Sequence, residues 1–224
     1  AKLDAGLKAY ILVHGDKKGS TDGVVNSAAD SKTTDGLNKE NGKSTRTGYY
    51  LRKLLRSDIN LNPNSTTKQK HLNARIRSTE ILLDYAEAAN EAQGPKANVG
   101  GANYSAYDVI KAIRERAGIG EFGEDPYLEE CAQSKEKMRE LIRNERRLEL
   151  CFENHRFWDL RRWKANLNEV AKGINITTDE ATGAFVYKTF DAEERKYDDY
   201  MFYGPIPYSE ILKYSNLKQN EGWK

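Results

Sequence analysis

The stretch Ile142-Arg-Asn-Glu-Arg-Arg-Leu-Glu-Leu-Cys-Phe-Glu-Asn-His-Arg-Phe-Trp-Asp-Leu-Arg-Arg-Trp163 constrains this chain more than any other. It crowds six arginines and four acids, with aliphatics and large aromatics, into 22 residues. In a helix, residues three and four apart share a face. Leu141, Glu145, Leu148 and Phe152 then form one stripe, with Glu149 beside it and Glu153 a turn further on. Two or three carboxylates are thus drawn toward the apolar side. An unpaired buried carboxylate costs several kcal/mol or shifts its pKa. A fold that accepts this helix must therefore supply cations to it.

Composition narrows the setting. The chain has 224 residues, enough for one good core with an extension. Apolar residues make up 38%, charged residues 31%, and the mean hydropathy is -0.82, so the core is modest and the surface well solvated. No run reaches the ~18–20 apolar residues of a membrane span. A net charge of +2 argues against a strong global field that steers polyanions. Cys131 and Cys151 belong to no CxxC pair, and one pair of cysteines does not specify a disulfide, so both are expected as free thiols. Ala1-Lys2-Leu3-Asp4 offers no initiator Met, secretory apolar region or lipobox cysteine. The expectation is a processed chain or a piece of a longer protein.

Along the chain, Ala9–Val13 reads as a short strand. Residues 14–48, rich in Gly, Ser, Thr, Asp, Asn and Lys, read as a long and partly mobile surface excursion. Residues 49–57 regain apolar character and 60–67 are turn material. Leu82, Ala86 and Ala89 predict a helix from Asn73 to Gln93, ended by Gly94-Pro95. Ser105-Ala-Tyr-Asp108 has the form of a capping box, with Asp in place of the usual Glu. It opens a helix whose stripe is Ala106, Val109, Ile110, Ile113 and Ala117. These two helices are expected to form an antiparallel hairpin similar to a tetratricopeptide unit, although one unit is not a detectable repeat. A third helix begins near Ser134 and is interrupted at Asn154, a residue that tolerates the left-handed conformation. A shorter helix follows over His155–Trp163. Residues 174–203 alternate weakly and suit short strands, Gly204–Pro207 is extended, and Ser209 caps a last helix over Glu210–Tyr214.

Three blocks now carry a resemblance. Arg77-Ser-Thr-Glu80-Ile-Leu-Leu-Asp-Tyr-Ala-Glu87-Ala, the run Ile142–Trp163, and Pro205-Ile-Pro207 with Gln219-Asn-Glu-Gly-Trp223 together resemble the SusD/RagB family, in that family's order. The similarity covers the chain from about Tyr49 to its end. It implies a mainly α fold: a SusD-like C-terminal helical domain over 49–224, with long irregular loops and little β-structure, behind a loop-rich segment over 1–48. It also implies a role. Such proteins are outer-membrane lipoproteins of Bacteroidetes that face outside the cell, bind a glycan or other nutrient without catalysis, and cap a SusC-like TonB-dependent transporter. The membrane contact would be a lipid anchor outside this chain. The alternative is a structural lid of that transporter, with no ligand contact in this portion. Two residues depart from the family pattern: Asn154 stands where Gly is usual, and Glu221 where Pro is frequent.

The candidate sites weigh function against scaffolding. Glu145, Glu149 and Glu153 could suggest a metal or acid/base site. No ExxH or HExxH accompanies them, and the favoured reading is an ion-pair network. Its expected members are Arg77, Glu145, Arg146, Glu149, Glu153, Arg156, Asp159 and Arg162, with Arg114 a further available partner. His155 reads as a hydrogen-bonding cap, and His14 and His71 have no partners in sequence. Arg143, Arg146, Arg147, Arg156, Arg161 and Arg162 beside Trp158 and Trp163 could suggest a nucleic-acid surface, but acids alternate with them at nearly every turn. Tyr85, Trp158 and Trp163 are read as core or interface residues. Tyr104, Tyr107 and Tyr127, close to loops, are the candidate ligand-binding aromatics. No catalytic residue, metal or cofactor is implied.

Overall fold

The computed structural model describes residues 5–18, 23–56, 58–60, 64–65, 67–70, 74–120 and 123–223. His71 and the expected helix start at Asn73 lie outside them. The fold is mainly α with little β-structure. Two compact units are distinguished: Ala1–Val25 with Tyr50–Asn154, and Asn26–Tyr49 with His155–Lys224. The loop-rich segment at the front of the chain is therefore shared between them.

The first unit is helical. It contains α1 (Ala5–Tyr10), β1 (Ile11–Leu12), β2 (Tyr50–Leu51), α2 (Ser78–Gln93), α3 (Ala106–Arg116), α4 (Pro126–Cys131) and α5 (Lys135–Glu149). Its core joins Leu83, Ala86 and Ala89 of α2 to Val109, Ile110 and Ile113 of α3, Leu128 of α4, and Met138, Leu141 and Ile142 of α5. The buried alanines leave α2 a shallow face on which its neighbours can pack closely. The capping box forms: Ser105 Oγ accepts from Asp108 N–H, and Asp108 Oδ2 accepts from Ser105 N–H at 2.7 Å. Ser134 caps α5 by accepting from Lys137 N–H at 3.1 Å.

Several expectations are corrected here. The strand expected at Ala9–Val13 is helical up to Tyr10, since β-branched residues begin only at Ile11. Ile11 and Leu12 then pair antiparallel with Leu51 and Tyr50. Helix α2 starts at Ser78, because Arg77 is extended with φ -122° and ψ 149°. Helix α5 stops at Glu149, five residues before Asn154. Both Phe152 (φ 63°) and Asn154 (φ 67°) are left-handed and turn the chain away. Phe152 thus leaves the expected stripe and is 49% exposed. Cations finish this helix end: Lys53 Nζ donates to the carbonyls of Glu149 (2.7 Å) and Cys151 (3.1 Å), and Arg77 Nη2 donates to that of Glu149 (2.8 Å). Among the described residues no helix is long and apolar enough to cross a membrane. Both cysteines are free thiols.

The second unit contains α6 (His155–Arg162), an antiparallel hairpin of β3 (Ala171–Thr178) and β4 (Phe185–Glu193), a 3-10 turn at Asp199–Phe202, and α7 (Tyr208–Ile211). Residues 26–49 cover the other edge of β3. Ile174 N–H donates to Thr47 O (2.8 Å), Ala29 N–H to Ile176 O (2.8 Å), and Thr178 N–H to Asp30 Oδ2 (2.7 Å). An edge strand is thereby protected from pairing with another chain. The excursion therefore has a defined course, with Ser27, Ala28 and Thr45 buried. Thr45 Oγ1 accepts from Thr47 and Gly48 N–H and donates to Tyr49 O. Gly48 has φ 83°, and a Cβ there would lie 2.3 Å from Ile174 O. Helix α7 begins two residues earlier than expected, with Pro207 and not Ser209 at its N-cap, and ends at Ile211.

Two blocks of the sequence pattern prove to be one structural device. The amide of Gln219 spans the extended Ile206 backbone, accepting from its N–H (2.7 Å) and donating to its carbonyl (2.9 Å). Asn220 Nδ2 donates to Gly204 O (2.8 Å), and Trp223 Nε1 to Tyr203 O (2.9 Å). Pro205 and Pro207 hold that backbone extended, so the side-chain amide can bridge it as a strand would.

Candidate ligand surface

The carboxylates of the α5 region draw their cations from α3, from Arg77 just before α2 and from Lys53. Arg114 is 8% exposed and lies between two acids. Its Nη1 donates to Glu145 Oε1 (2.7 Å), and its Nε and Nη2 to Asp125 Oδ2 and Oδ1 (2.6 and 3.2 Å). Burial disfavours its charge, and the two carboxylates outweigh that, raising its pKa. Arg116 Nη2 donates to Glu149 Oε2 at 2.5 Å. Arg77 Nε meets Glu153 Oε2 at 2.7 Å, and Lys53 pairs with the other oxygen of Glu153. Burial pushes the Glu153 carboxyl up, but Arg77 and Lys53 bring it below its ordinary value. Arg146 reaches Asp84 and, at 3.8 Å, Glu87 of α2.

The remaining expected members lie on α6. In the second unit, Arg162 pairs with Asp159 at 2.9 Å and Arg156 with Glu169 at 3.7 Å. Sequence reasoning missed Lys53, Asp84, Arg116 and Asp125. The available signal was the pair of arginines in the last turn of α3, where cations favour the helix dipole.

The three candidate tyrosines have distinct surroundings. Tyr104 packs edge-on against Tyr85 at 4.9 Å, and Tyr85 Oη donates to the Tyr104 carbonyl at 2.7 Å. Tyr107 donates to Glu129, a bond that, with burial, pushes its phenol up to about 12. It lines a hollow with only about 10 Å³ free, room for a single water. Tyr127 lies 5.7 Å beneath the Arg114 guanidinium and is exposed. Their neighbours are therefore mainly structural.

The broader aromatic surface lies elsewhere. Phe157 and Trp158 are adjacent on α6, about 100° apart around the helix, so both cannot face inward. Asp159 is the buried residue of α6, and Trp158 is 66% exposed, so of the core and interface readings it does not fill the core one. Trp158, Arg161, Arg162, Lys164, Phe202 and Tyr203 line an open hollow of about 380 Å³. Tyr203, 64% exposed, also lines an adjoining hollow of about 550 Å³ with Asp199, Tyr200, Asn220 and Glu221. Flat apolar rings alternate here with charged and amide groups. Sugars present an apolar ring face and a rim of hydroxyls, and such a surface matches both.

Comparison with known proteins gives a consistent result. The model of the SusD family matches residues 1–223. SusD-like protein P2 of Formosa agariphila is 32% identical over 145 residues, which is 65% of this chain and 24% of that protein. The crystal structure of a SusD-like protein from Bacteroides fragilis superposes with a TM-score of 0.71 at 28% identity, over 96% of this chain and 38% of that one. The chain thus spans about a quarter of the curated relative's length. Matched almost from end to end by the family model, it belongs to the SusD family.

Proposed function

We propose that this chain takes part in non-catalytic capture of a glycan at the bacterial cell surface and in its delivery to a SusC-like TonB-dependent outer-membrane transporter. The ledge of exposed Trp158 and Tyr203 with half-buried Phe202, flanked by charged and amide side chains, carries the reading. Membership of the SusD family supports it, as does the commitment of the inward-drawn acids. Glu145, Glu149 and Glu153 are each bonded to arginine and so are not disposed as an acid/base pair across a cleft. In this reading the protein sits on the extracellular face of the outer membrane, held by a lipid anchor outside residues 1–224. Tyr104, Tyr107 and Tyr127 become supports of the helical unit.

The test is a titration of the chain with a panel of neutral and charged polysaccharides, followed by calorimetry and tryptophan fluorescence. Saturable binding without released oligosaccharide is expected, with Trp158→Ala and Tyr203→Ala weakening it at unchanged melting temperature. Release of product would refute the non-catalytic role. Co-purification with the transporter but no response to any polysaccharide would identify the chain as a structural lid.

A further inference from the structure

Arg161 differs from the arginines of the helical unit. Its guanidinium lies 3.5 Å from the Phe157 ring centroid and 5.6 Å from that of Tyr197. Its Nη1 donates to the Phe157 carbonyl at 3.1 Å. Tyr197 is itself fixed, because Asn168 donates to its carbonyl (2.9 Å) and accepts from its N–H (2.7 Å). Among the described residues no carboxylate pairs with Arg161 or with Lys164, and both line the Trp158 hollow. Arg162, between them, already holds Asp159. The nearby acids Asp199 and Glu221 line the adjoining hollow and not this one. The arrangement therefore combines an ordered guanidinium, an ammonium and an exposed indole, with the positive charge left uncompensated.

We propose that the Trp158 hollow recognises an anionic sugar residue, with Arg161 and Lys164 binding its carboxylate or sulfate ester and Trp158 covering its ring face. The inference rests on the glycan reading and narrows it. A planar guanidinium matches two oxygens of either anion, and charge-assisted hydrogen bonds are about twice as strong as neutral ones. The aromatic rings beside Arg161 hold it in place before the ligand arrives, so less ordering entropy is lost on binding.

The experiment is affinity electrophoresis and calorimetry of the whole chain with polygalacturonate, a sulfated galactan and dextran. Binding to one or both polyanions, and not to dextran, is expected. Which polyanion binds tells carboxylate from sulfate. Lys164→Ala and Arg161→Ala should each weaken it roughly tenfold, as should a rise in ionic strength. Lys188→Ala, a cation on β4 outside the hollow, should leave it unchanged. Lys164 is exposed, so its variant tests the site even if Arg161→Ala disturbs the packing of Phe157. Polyanion binding that survives both substitutions, or falls equally in Lys188→Ala, overturns the inference. Dextran binding that survives both overturns it while leaving the glycan reading intact. No binding to any of the three removes the glycan reading as well.

Discussion

Replacing Arg114 by Met removes one cation from between two acids. Arg114 is 8% and Glu145 4% exposed, and three hydrogen bonds join the guanidinium to Glu145 and Asp125. Without it, two carboxylates in a poorly solvated site lose the guanidinium they share. Breaking a buried pair in this way costs about 3–5 kcal/mol. For a domain of this size each kcal/mol is worth roughly 2–4 °C, so the melting temperature should fall by about 10 °C. Removing the charges together should behave differently. In the triple variant Arg114→Met, Glu145→Met, Asp125→Asn, the guanidinium and both carboxylates it joins are removed together. Asn also keeps the cap that Asp125 provides to Leu128 N–H. Buried ion pairs are frequently replaceable by apolar groups at little cost, so the triple variant should recover most of the loss. Thermal and urea unfolding, followed by circular dichroism, measure both. Arg114→Met melting within about 2 °C of the parent, or a triple variant no better than the single one, would refute the reasoning.

Acid should destabilise the helical unit. Asp125 and Glu153 are held below the ordinary carboxylate value: burial raises each, and Arg114 on one, with Arg77 and Lys53 on the other, more than reverse it. Groups depressed in the folded state stabilise it above the unfolded pKa of about 4 and lose that contribution as pH falls through the folded value. Urea midpoints should thus be flat near neutrality and drop below about pH 4, and a midpoint that rises there would contradict this. Gly48→Ala should cost the second unit at least about 2–3 kcal/mol in urea unfolding, since its Cβ would meet Ile174 O at a left-handed φ. Asn154→Ala should lower stability by about 1 kcal/mol and Asn154→Gly leave it near the parent, read from the same curves. Cys131 and Cys151, both pushed up chiefly by burial, should resist iodoacetamide at neutral pH until the chain unfolds, as mass spectrometry of the alkylated protein would record.

Long helices with their own end signals were readable from sequence. Helix α3 shows its stripe and its capping box, and α5 its Ser134 cap, because these signals are local. Helix α4 went unread although Asp125-Pro126 is a helix start, an N-cap acid followed by Pro at the first position. Six residues are too few for a periodicity. The early end of α5 was hidden for another reason: nothing about phenylalanine announces a φ of 63°, and the conformation at Phe152 is imposed by what surrounds it. The cover of residues 26–49 over β3 is likewise a long-range pairing with no local trace. At the candidate site, the core-or-interface reading of Trp158 left its side open; α6 buries Asp159 and leaves both Phe157 and Trp158 exposed.

Arginine content alone therefore says little about what this surface does. In the α5 region the cations are consumed inside the protein: Arg77, Arg114 and Arg116 each face an acid that burial has made expensive to leave alone. Their removal should appear as lost stability, whatever the ligand. Arg161 is of the same residue type, within the same 22-residue stretch, but faces rings and a carbonyl instead of a carboxylate. Among the described residues no carboxylate pairs with it, and it adjoins an exposed indole, so its removal should appear as lost affinity at nearly constant stability. The opposite responses of Arg114 and Arg161 separate scaffold from recognition. Equal losses of stability at both positions would make the whole stretch scaffold and move the ligand surface elsewhere.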